Sequence, residues 1–337
     1  MAFSDMRLGE VGGPTGLPFD DIKAVLRHFP EPDACRGRAA RRMLTERAGG
    51  IRHGSLIPLA AWLASWKSIT RPAVERMQLA LFVSRIDPLA DIDGNSNAVA
   101  FLNAISSGAH LASQLCLRQG AGLKLYDLAL EAATPDPRLE PVMSEQECAA
   151  TMAFGMEATA GGIDVLALSR AGEGGEAAAL ALLTLLSEEG PGQLLARLSG
   201  AAQAAVAAIV ARHREAASDP FEVLRRVGSR DLAALVGAIL AARTQRLPVI
   251  LDGLGALAAA AVLARAGGEN LGHCLLGATD DAGLRQLAVS LGVNDFQALP
   301  GAEGEGVGAL LALPALRAAA DALAIAEVSA HADGCAG

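Results

Sequence analysis

The chain has 337 residues, of which 52% are hydrophobic, 19% are charged and only 3% are aromatic. Its formal net charge is -9. General nucleic-acid binding needs a basic surface and often rings for base stacking, so this composition excludes it. A folded chain of this length buries roughly three-quarters of the surface that its unfolded form exposes. The composition therefore predicts a large core and excludes a disordered or fibrous protein.

Scattered cysteines and a polar uncharged segment bear on the cellular compartment. The cysteines form no CxxC pair and the N-terminus has no signal-peptide pattern, so we expect reduced thiols in a cytoplasmic protein. The longest stretch without a charge, residues 94–117, contains asparagine, histidine and glutamine. That stretch is too polar to cross a bilayer, and no membrane span is expected. The cysteines are Cys35, Cys116, Cys148, Cys274 and Cys335.

The N-terminal part of the chain predicts short helices. A Gly/Pro-rich lead precedes a helical pattern around Phe19–His28, and an arginine-rich amphipathic helix is predicted over 33–48. An apolar helix follows over 55–67. In that helix Trp62 and Trp66 are four residues apart and share a face. This spacing favours simple anchoring of the helix to the core.

The rest of the chain alternates short apolar runs with longer helices. Each run has the length of a strand and lacks polar alternation, as expected of a strand buried on both faces of a parallel sheet. A capping box at Ser144–Glu147 opens a helix over 145–158, and Asp219-Pro220 begins a helix that ends near Val227. This order predicts right-handed βαβ units and an α/β fold with helices on both faces of a parallel sheet. The five runs are 79–84, 122–128, 163–169, 247–253 and 273–279.

Ligands of such sheets bind at the carboxyl ends of the strands, so the chemistry is expected in the loops that follow the apolar runs. Small and acidic residues fall in those loops, and a further glycine-rich segment precedes the last predicted helix, which spans about 309–324. The candidate loops are 169–176, 252–253, 279–281 and 304–308.

The stretch 169–177 has the order strand, glycine turn and helix start, which presents backbone N–H groups to a phosphate. Gly172, Gly174 and Ala177 also match the dinucleotide pattern G-x-G-x-x-A. No second strand ending in an acid follows about 20 residues later, where a ribose contact belongs. A nicotinamide dinucleotide is therefore disfavoured, whereas a structural tight turn stays open.

The segment 304–308 places Glu305 between Gly304 and Gly306. Glycines at alternate positions allow another group to approach the backbone closely. A desolvated carboxylate held there can act as a general base. A solvated acid in a flexible turn is the alternative, and the residues alone leave both interpretations open.

Metal, hydrolase and nucleoside-triphosphate sites are not predicted. The six histidines are spread along the chain with no i,i+4 pair and no HExxH motif, so no metal is expected. Neither a GxSxG elbow nor a P-loop occurs, which removes the serine-hydrolase and NTP-hydrolase classes.

Five segments, in order along the chain, together resemble one family. The similarity covers roughly residues 18–330, and the family is that of nicotinate-nucleotide:dimethylbenzimidazole phosphoribosyltransferase, which activates the lower ligand of cobalamin. The segments are Gly54-Ser55-Leu56, Met143–Glu147, 219–253, His273–Leu276 and Gly304–Pro314.

The resemblance implies a three-layer, Rossmann-like α/β domain and a small helical domain built from the chain ends, usually in a homodimer. We expect 1–75 to contribute helices to the small domain, 76–310 to form the sheet domain, and 311–337 to return to the small domain. The implied reaction moves the ribose phosphate of nicotinate mononucleotide onto a benzimidazole-type base, with no metal or redox cofactor.

The resemblance also implies a set of site residues. The family's general base is the glutamate of R-L-G-E-G-x-G-A, and Glu305 occupies that place. The incoming azole must lose its N–H proton while its other nitrogen attacks the ribose, and a carboxylate can accept that proton. The expected substrate-binding residues are Gly172, Gly174, Gly175, Gly304, Gly306, Arg170 and Thr279.

Several loops depart from the family pattern. Arg170 stands where the family has an acid, Glu176 and Ala177 replace hydroxyl residues, and 190–193 shortens a stretch that carries a lysine. The buried motifs are kept. Two hypotheses follow: an active phosphoribosyltransferase, or a catalytically impaired paralogue that binds a nucleotide-like ligand or partners an active family member.

Overall fold

A computed structural model describes residues 17–46, 53–92, 97–187, 191–267, 271–295, 301–302 and 304–326. A parallel sheet of five strands lies at the centre of this part of the chain, with the order β2-β1-β3-β4-β5. Each of the five predicted apolar runs overlaps one strand, which confirms the α/β prediction. The strands are β1 Met77–Arg85, β2 Gly122–Asp127, β3 Val165–Glu173, β4 Val249–Leu251 and β5 Cys274–Leu276.

Strand β3 extends further than the sequence predicts. Its pairing with β1 continues to Arg85 opposite Glu173, so residues 169–173 are strand, and the prediction that they are loop was wrong. Gly172 makes this extension possible, because its φ is +122° and a Cβ there would collide with the carbonyl oxygen of Ser84. The glycine turn is thus shortened to Gly174, the N-cap residue of the helix that begins at Gly175.

The helices agree closely with the predicted ones. The Ser144 side chain and the Glu147 carboxylate form the predicted capping box, and Asp219 caps the helix that ends at Val227. The helices are α1 Pro18–Val25, α2 Ala34–Thr45, α3 Leu56–Lys67, α4 Ala98–Ser106, α5 Leu111–Gln119, α6 Glu145–Met156, α7 Gly175–Leu186, α8 Gly200–His213, α9 Pro220–Val227, α10 Arg230–Thr244, α11 Gly253–Gly267, α12 Ala282–Ser290 and α13 Val307–Ile325.

Two hydrophobic cores, one on each face of the sheet, make the three layers. Alternate residues of β1 point to opposite faces, so Ala80 and Phe82 pack with helices α6 to α12. Leu79 and Leu81 pack with α2 to α5 and α13. The N-terminal helices and α13 therefore share a core with the sheet, and the boundaries of a small helical domain stay a prediction.

The cysteines and helix α13 bear on the compartment expected from the sequence. Cys116, Cys148 and Cys274 are free and buried, and burial raises the pKa of the Cys116 thiol to about 11. Cys35 is disulfide-bonded, so the prediction of a reduced thiol was wrong at that position. Cys335 lies outside the described residues.

Helix α13 alone among the described helices has the length and apolar character of a membrane span. A core helix shares that character, and α13 packs against the sheet.

Two glycines bring α6 and α10 into backbone contact. A Cβ at Gly155 would collide with the Ala234 carbonyl group, and a Cβ at Gly237 would collide with that of Met152. We expect Gly237→Val to push the helices apart and to lower the free energy of unfolding by about 1–3 kcal/mol through overpacking. Urea unfolding followed by circular dichroism measures the change.

Gly200→Ala is the matched control. Gly200 is the first residue of α8, and an added Cβ there meets no atom within 4 Å. We expect this variant to be as stable as the parent chain or slightly more stable, since alanine restricts the unfolded chain. Equal midpoints for Gly237→Val and Gly200→Ala would contradict the close contact of α6 and α10.

Candidate active site

A cavity of about 230 Å³ opens at the carboxyl ends of β3 and β4. Sheets with this strand order bind ligands at the carboxyl edge, near the point where the order reverses between β1 and β3. The lining contains carboxylates, guanidinium groups and the beginnings of two helices. It consists of Arg170, Ala171, Gly172, Gly175, Glu176, Arg197, Asp252, Gly253, Leu254, Gly255, Gly304 and Glu305.

Asp252 shapes the turn that carries Glu305. It follows β4, its side chain is buried, and its carboxylate accepts hydrogen bonds from the N–H groups of Gly304 at 3.1 Å and Gly306 at 2.7 Å. Glu305 lies between these two anchors with a φ of +53°, a backbone conformation that costs free energy for a residue with a side chain. The Asp252 carboxylate therefore holds a strained turn whose centre is the candidate base.

Glu305 lines the cavity and meets a histidine from a distant segment of the chain. Its side chain is 47% exposed, and the distance from its Oε2 atom to Nε2 of His110 is 2.9 Å. His110 precedes α5 and is the N-cap residue of that helix. The two groups are 195 positions apart in sequence and come together only because α5 packs against α13.

Arg170 lies on β3, at a wall of the cavity, and forms a buried ion pair there. Its Nε donates to Oδ2 of Asp231, a fully buried residue in the first turn of α10. The hydroxyl group of Ser229 donates to the other carboxylate oxygen. Because the Arg170 side chain is only 14% exposed, its guanidinium position is fixed by the fold.

The beginnings of α7 and α11 flank this guanidinium. A Cβ at Gly175 or at Gly255 would overlap the Arg170 side chain, so both glycines are needed to admit it. The N-terminus of a helix carries a partial positive charge and free N–H groups. The guanidinium and two helix N-termini supply hydrogen-bond donors for an anion at this wall, whereas the Glu176 carboxylate in the first turn of α7 opposes one.

The remaining charged groups divide between the cavity and the scaffold. Arg197 lines the cavity and its guanidinium lies 3.1 Å from Oδ2 of Asp281. Glu176 also lines the cavity. Glu173, in contrast, accepts a hydrogen bond from the N–H of Ala98 at the start of α4, so its carboxylate serves the scaffold.

The comparisons with known proteins identify the family. The sequence model of a family described as "Phosphoribosyltransferase" matches residues 32–333. A nicotinate-nucleotide–dimethylbenzimidazole phosphoribosyltransferase from Agrobacterium fabrum (strain C58 / ATCC 33970) is 40% identical over 91% of this chain and 92% of its own length. The protein of that name from Sinorhizobium medicae (strain WSM419) is 42% identical over 91% and 94%. The chain belongs to this phosphoribosyltransferase family.

Solved structures agree with that assignment. CobT from Thermus thermophilus superposes with a TM-score of 0.75 at 24% identity and covers 87% of this chain and 96% of its own. A nicotinate-nucleotide-dimethylbenzimidazole phosphoribosyltransferase from the same organism has a TM-score of 0.71 at 25% identity, with 88% and 96% covered. This chain thus shares its fold with solved structures whose amino-acid sequences differ from it at most positions.

Five of the eight predicted site residues line the cavity. They are Arg170, Gly172, Gly175, Gly304 and Glu305.

Three predicted substrate-binding residues lie elsewhere. Gly174 packs on Leu89 and Ile86, and Gly306 packs on Leu79, so each must be glycine for close packing. Thr279 is buried, and its hydroxyl oxygen accepts a hydrogen bond from the N–H of Asp281. Direct contacts of these three residues with a substrate stay a prediction.

Sequence reasoning missed three residues of the site. His110 stands in no recognised sequence motif, Arg197 follows a shortened loop, and Asp231 lies in an apolar helix. His110 caps α5 in the structure, but histidine is not a preferred N-cap residue, so the sequence gives no capping signal there. No sequence signal connects Asp231 with Arg170, because their pairing depends on the packing of α10 against β3.

We expect Asp252→Asn to disturb the turn around Glu305. The amide can accept one of the two N–H hydrogen bonds but places its own NH₂ group against the other. Leaving that N–H unsatisfied lowers the free energy of unfolding by about 1–3 kcal/mol, which urea unfolding measures. The exposed Asp280 is the control, and Asp280→Asn should leave stability unchanged. Equal stability of both variants would contradict the anchoring role of Asp252.

Proposed function

We propose that this chain transfers the ribose phosphate of nicotinate mononucleotide to a nitrogen of a benzimidazole-type base. The nitrogen attacks C1′ of the ribose, the C1′–N bond to nicotinate breaks, and nicotinate leaves with the bonding electrons. The other azole nitrogen gives its proton to the enzyme. The products are nicotinate and an α-ribotide phosphate for the cobalamin lower ligand. No metal or redox cofactor takes part in the proposed reaction.

The observation that carries the proposal is the position of Glu305. Its carboxylate lies at the cavity, in a turn fixed by Asp252, where it can accept the azole proton as a general base. Gly304 leaves space for a flat ring and a ribose to approach the backbone, since an added Cβ there would meet no atom within 4 Å.

The phosphate is proposed to bind at the wall formed by Arg170 and the start of α7. A phosphate there would accept charge-assisted hydrogen bonds from the guanidinium and hydrogen bonds from the N–H groups that begin the helix. Arg170 stands where the family pattern has an acid, and its charge supports binding of a phosphorylated substrate. Relatives at 40–42% identity carry the name of the active transferase, which favours activity over the impaired alternative.

A turnover assay tests the proposal. Purified protein is incubated with nicotinate mononucleotide and 5,6-dimethylbenzimidazole, and the products are separated by chromatography. We expect nicotinate and ribotide phosphate in equal amounts. Absence of nicotinate release would overturn the proposal. Calorimetric binding of nicotinate mononucleotide without turnover would instead support the impaired paralogue.

We further propose that the protein acts in the cytoplasm as a homodimer. A phosphorylated nucleotide substrate does not cross membranes unaided, which supports a cytoplasmic site of action. Strand β2 lies at the edge of the sheet and is only partly covered, and exposed Leu117 and Phe154 lie on helices α5 and α6. A second copy is the proposed cover. Sedimentation at micromolar concentration tests this: a dimer is expected, and a monomer would overturn it.

A further inference from the structure

The His110 ring is fixed at both nitrogens. Its Nδ1 accepts a hydrogen bond from the N–H of Ala112 at 3.2 Å, and its Nε2 lies 2.9 Å from Oε2 of Glu305. A backbone N–H can only donate, so Nδ1 carries no proton in this arrangement. The proton of the neutral ring is then on Nε2 and is donated to the Glu305 carboxylate.

The surroundings of His110 hold the ring in this orientation. The ring of Phe101 meets it edge to face, with 5.2 Å between centroids. The N–H of His110 donates to the carbonyl oxygen of Ala104 at 3.1 Å, and the hydroxyl of Ser113 donates to that of Ile105 at 2.9 Å, which ties α5 to the end of α4. The His110 side chain is 18% exposed, so it is largely buried beside the cavity.

Within the part of the chain that the structure describes, one oxygen of Glu305 is bonded to His110 and the other has no hydrogen-bond donor. Among the residues that the structure describes, none other than His110 donates a hydrogen bond to the Glu305 carboxylate. Oε1 therefore keeps its lone pairs for an incoming group. The backbone of Glu305 is fixed by Asp252, but its side-chain torsions need a second constraint, and the imidazole provides it.

We propose that His110 is a positioning residue that holds the Glu305 carboxylate so that Oε1 receives the azole proton. This inference rests on the proposed function. His110 is not among the residues that line the cavity; its proposed role is to fix the orientation of the carboxylate that accepts the proton. Misplacement of a reacting group by about 1 Å can cost on the order of 100-fold in rate, so losing this constraint is expected to lower kcat without a comparable change in substrate binding.

Two substitutions separate the positioning role from the role of His110 as a helix cap. His110→Asn keeps an acceptor for the N–H of Ala112, since asparagine is a good N-cap residue, but its side chain is too short to reach Glu305. His110→Gln places an amide N–H group where Nε2 lies and keeps the donor to Glu305. Ser144→Ala removes the cap of α6, outside the cavity lining, and is the control for loss of a cap alone.

The kinetic outcomes are distinct. We expect His110→Asn to lower kcat about 10-fold with a KM for nicotinate mononucleotide within about 2-fold of the parent, and His110→Gln to recover most of the loss. Ser144→Ala should change thermal stability and leave kcat unaltered. A parental kcat for His110→Asn would overturn the inference. So would an equal loss in His110→Gln, because it would show that packing of the ring matters and the donor does not.

Nitrogen-15 NMR of histidine-labelled protein tests the same contact without turnover. The inference predicts the Nε2–H tautomer for His110 and a change of its Nε2 and proton shifts in Glu305→Ala. An Nδ1–H tautomer, or signals identical in Glu305→Ala, would overturn it. If the parent chain released no nicotinate, the proposed function would fall, while these signals would still decide whether His110 holds Glu305.

Discussion

Replacing Glu305 by glutamine lowers kcat for nicotinate release by about 10²–10⁴-fold, the range typical of losing a general base. The amide has the volume of the carboxylate but cannot accept the azole proton. Its oxygen can still accept the Nε2–H of His110, and the anchors from Asp252 are unaffected. We therefore expect the turn to persist and KM for nicotinate mononucleotide to stay within about 3-fold of the parent value.

Steady-state kinetics with chromatographic detection of nicotinate measure this effect. Glu140 is exposed and does not line the cavity, so Glu140→Gln is the matched control and should retain full activity. Full turnover in Glu305→Gln would remove the assignment of Glu305 as base, even if the transferase activity itself stood.

Replacing Arg170 by leucine is expected to lower the free energy of unfolding by about 3–5 kcal/mol, the cost of leaving a buried charge without its partner. Asp231 is fully buried, and without Arg170 its carboxylate keeps only the Ser229 hydroxyl among the side-chain contacts described above. The same change removes a positive charge from the proposed phosphate-binding wall, which is formed by Arg170 and the start of α7. KM for nicotinate mononucleotide should therefore rise in whatever fraction of the variant stays folded.

Urea unfolding of a double variant separates the two consequences. Arg170→Leu combined with Asp231→Leu removes both charges, and replacing a buried pair by apolar groups is often neutral. We expect most of the lost stability to return while the weak binding of nicotinate mononucleotide persists. If Arg170→Leu alone were as stable as the parent chain, the buried ion pair would not have the energetic role assigned to it.

Hydrophobic patterning predicted the sheet because four of its five strands are largely buried on both faces. The apolar runs at 79–84 and 163–169 each mark a strand, and local capping chemistry at Ser144 and Asp219 marked helix starts within a residue. The end of β3 was harder to predict, because the ladder to Glu173 depends on pairing with β1. Gly172 in that stretch indicated a turn. In the structure, the lack of a side chain at Gly172 instead allows β3 to lie close to β1.

The candidate site was only partly predictable for the same reason. Glu305 and the glycines around it form a local pattern, and the resemblance to a known family drew attention to that segment. His110 and Asp231 contribute through contacts with residues far away in sequence, and a single sequence carries no signal for such pairs. Cys35 shows the limit of composition as well, since scattered cysteines gave no indication of its disulfide.

A crystal structure of the Glu305→Gln variant with nicotinate mononucleotide and 5,6-dimethylbenzimidazole tests the account most directly. We predict the phosphate at the Arg170 guanidinium and the start of α7, and the azole N–H facing the side chain at position 305. The alternative binding site is a cavity of about 360 Å³ near the amino ends of β3 and β4, lined in part by Trp66, Lys67 and Arg246. Substrates bound there, with the carboxyl-edge cavity empty, would contradict the proposed site.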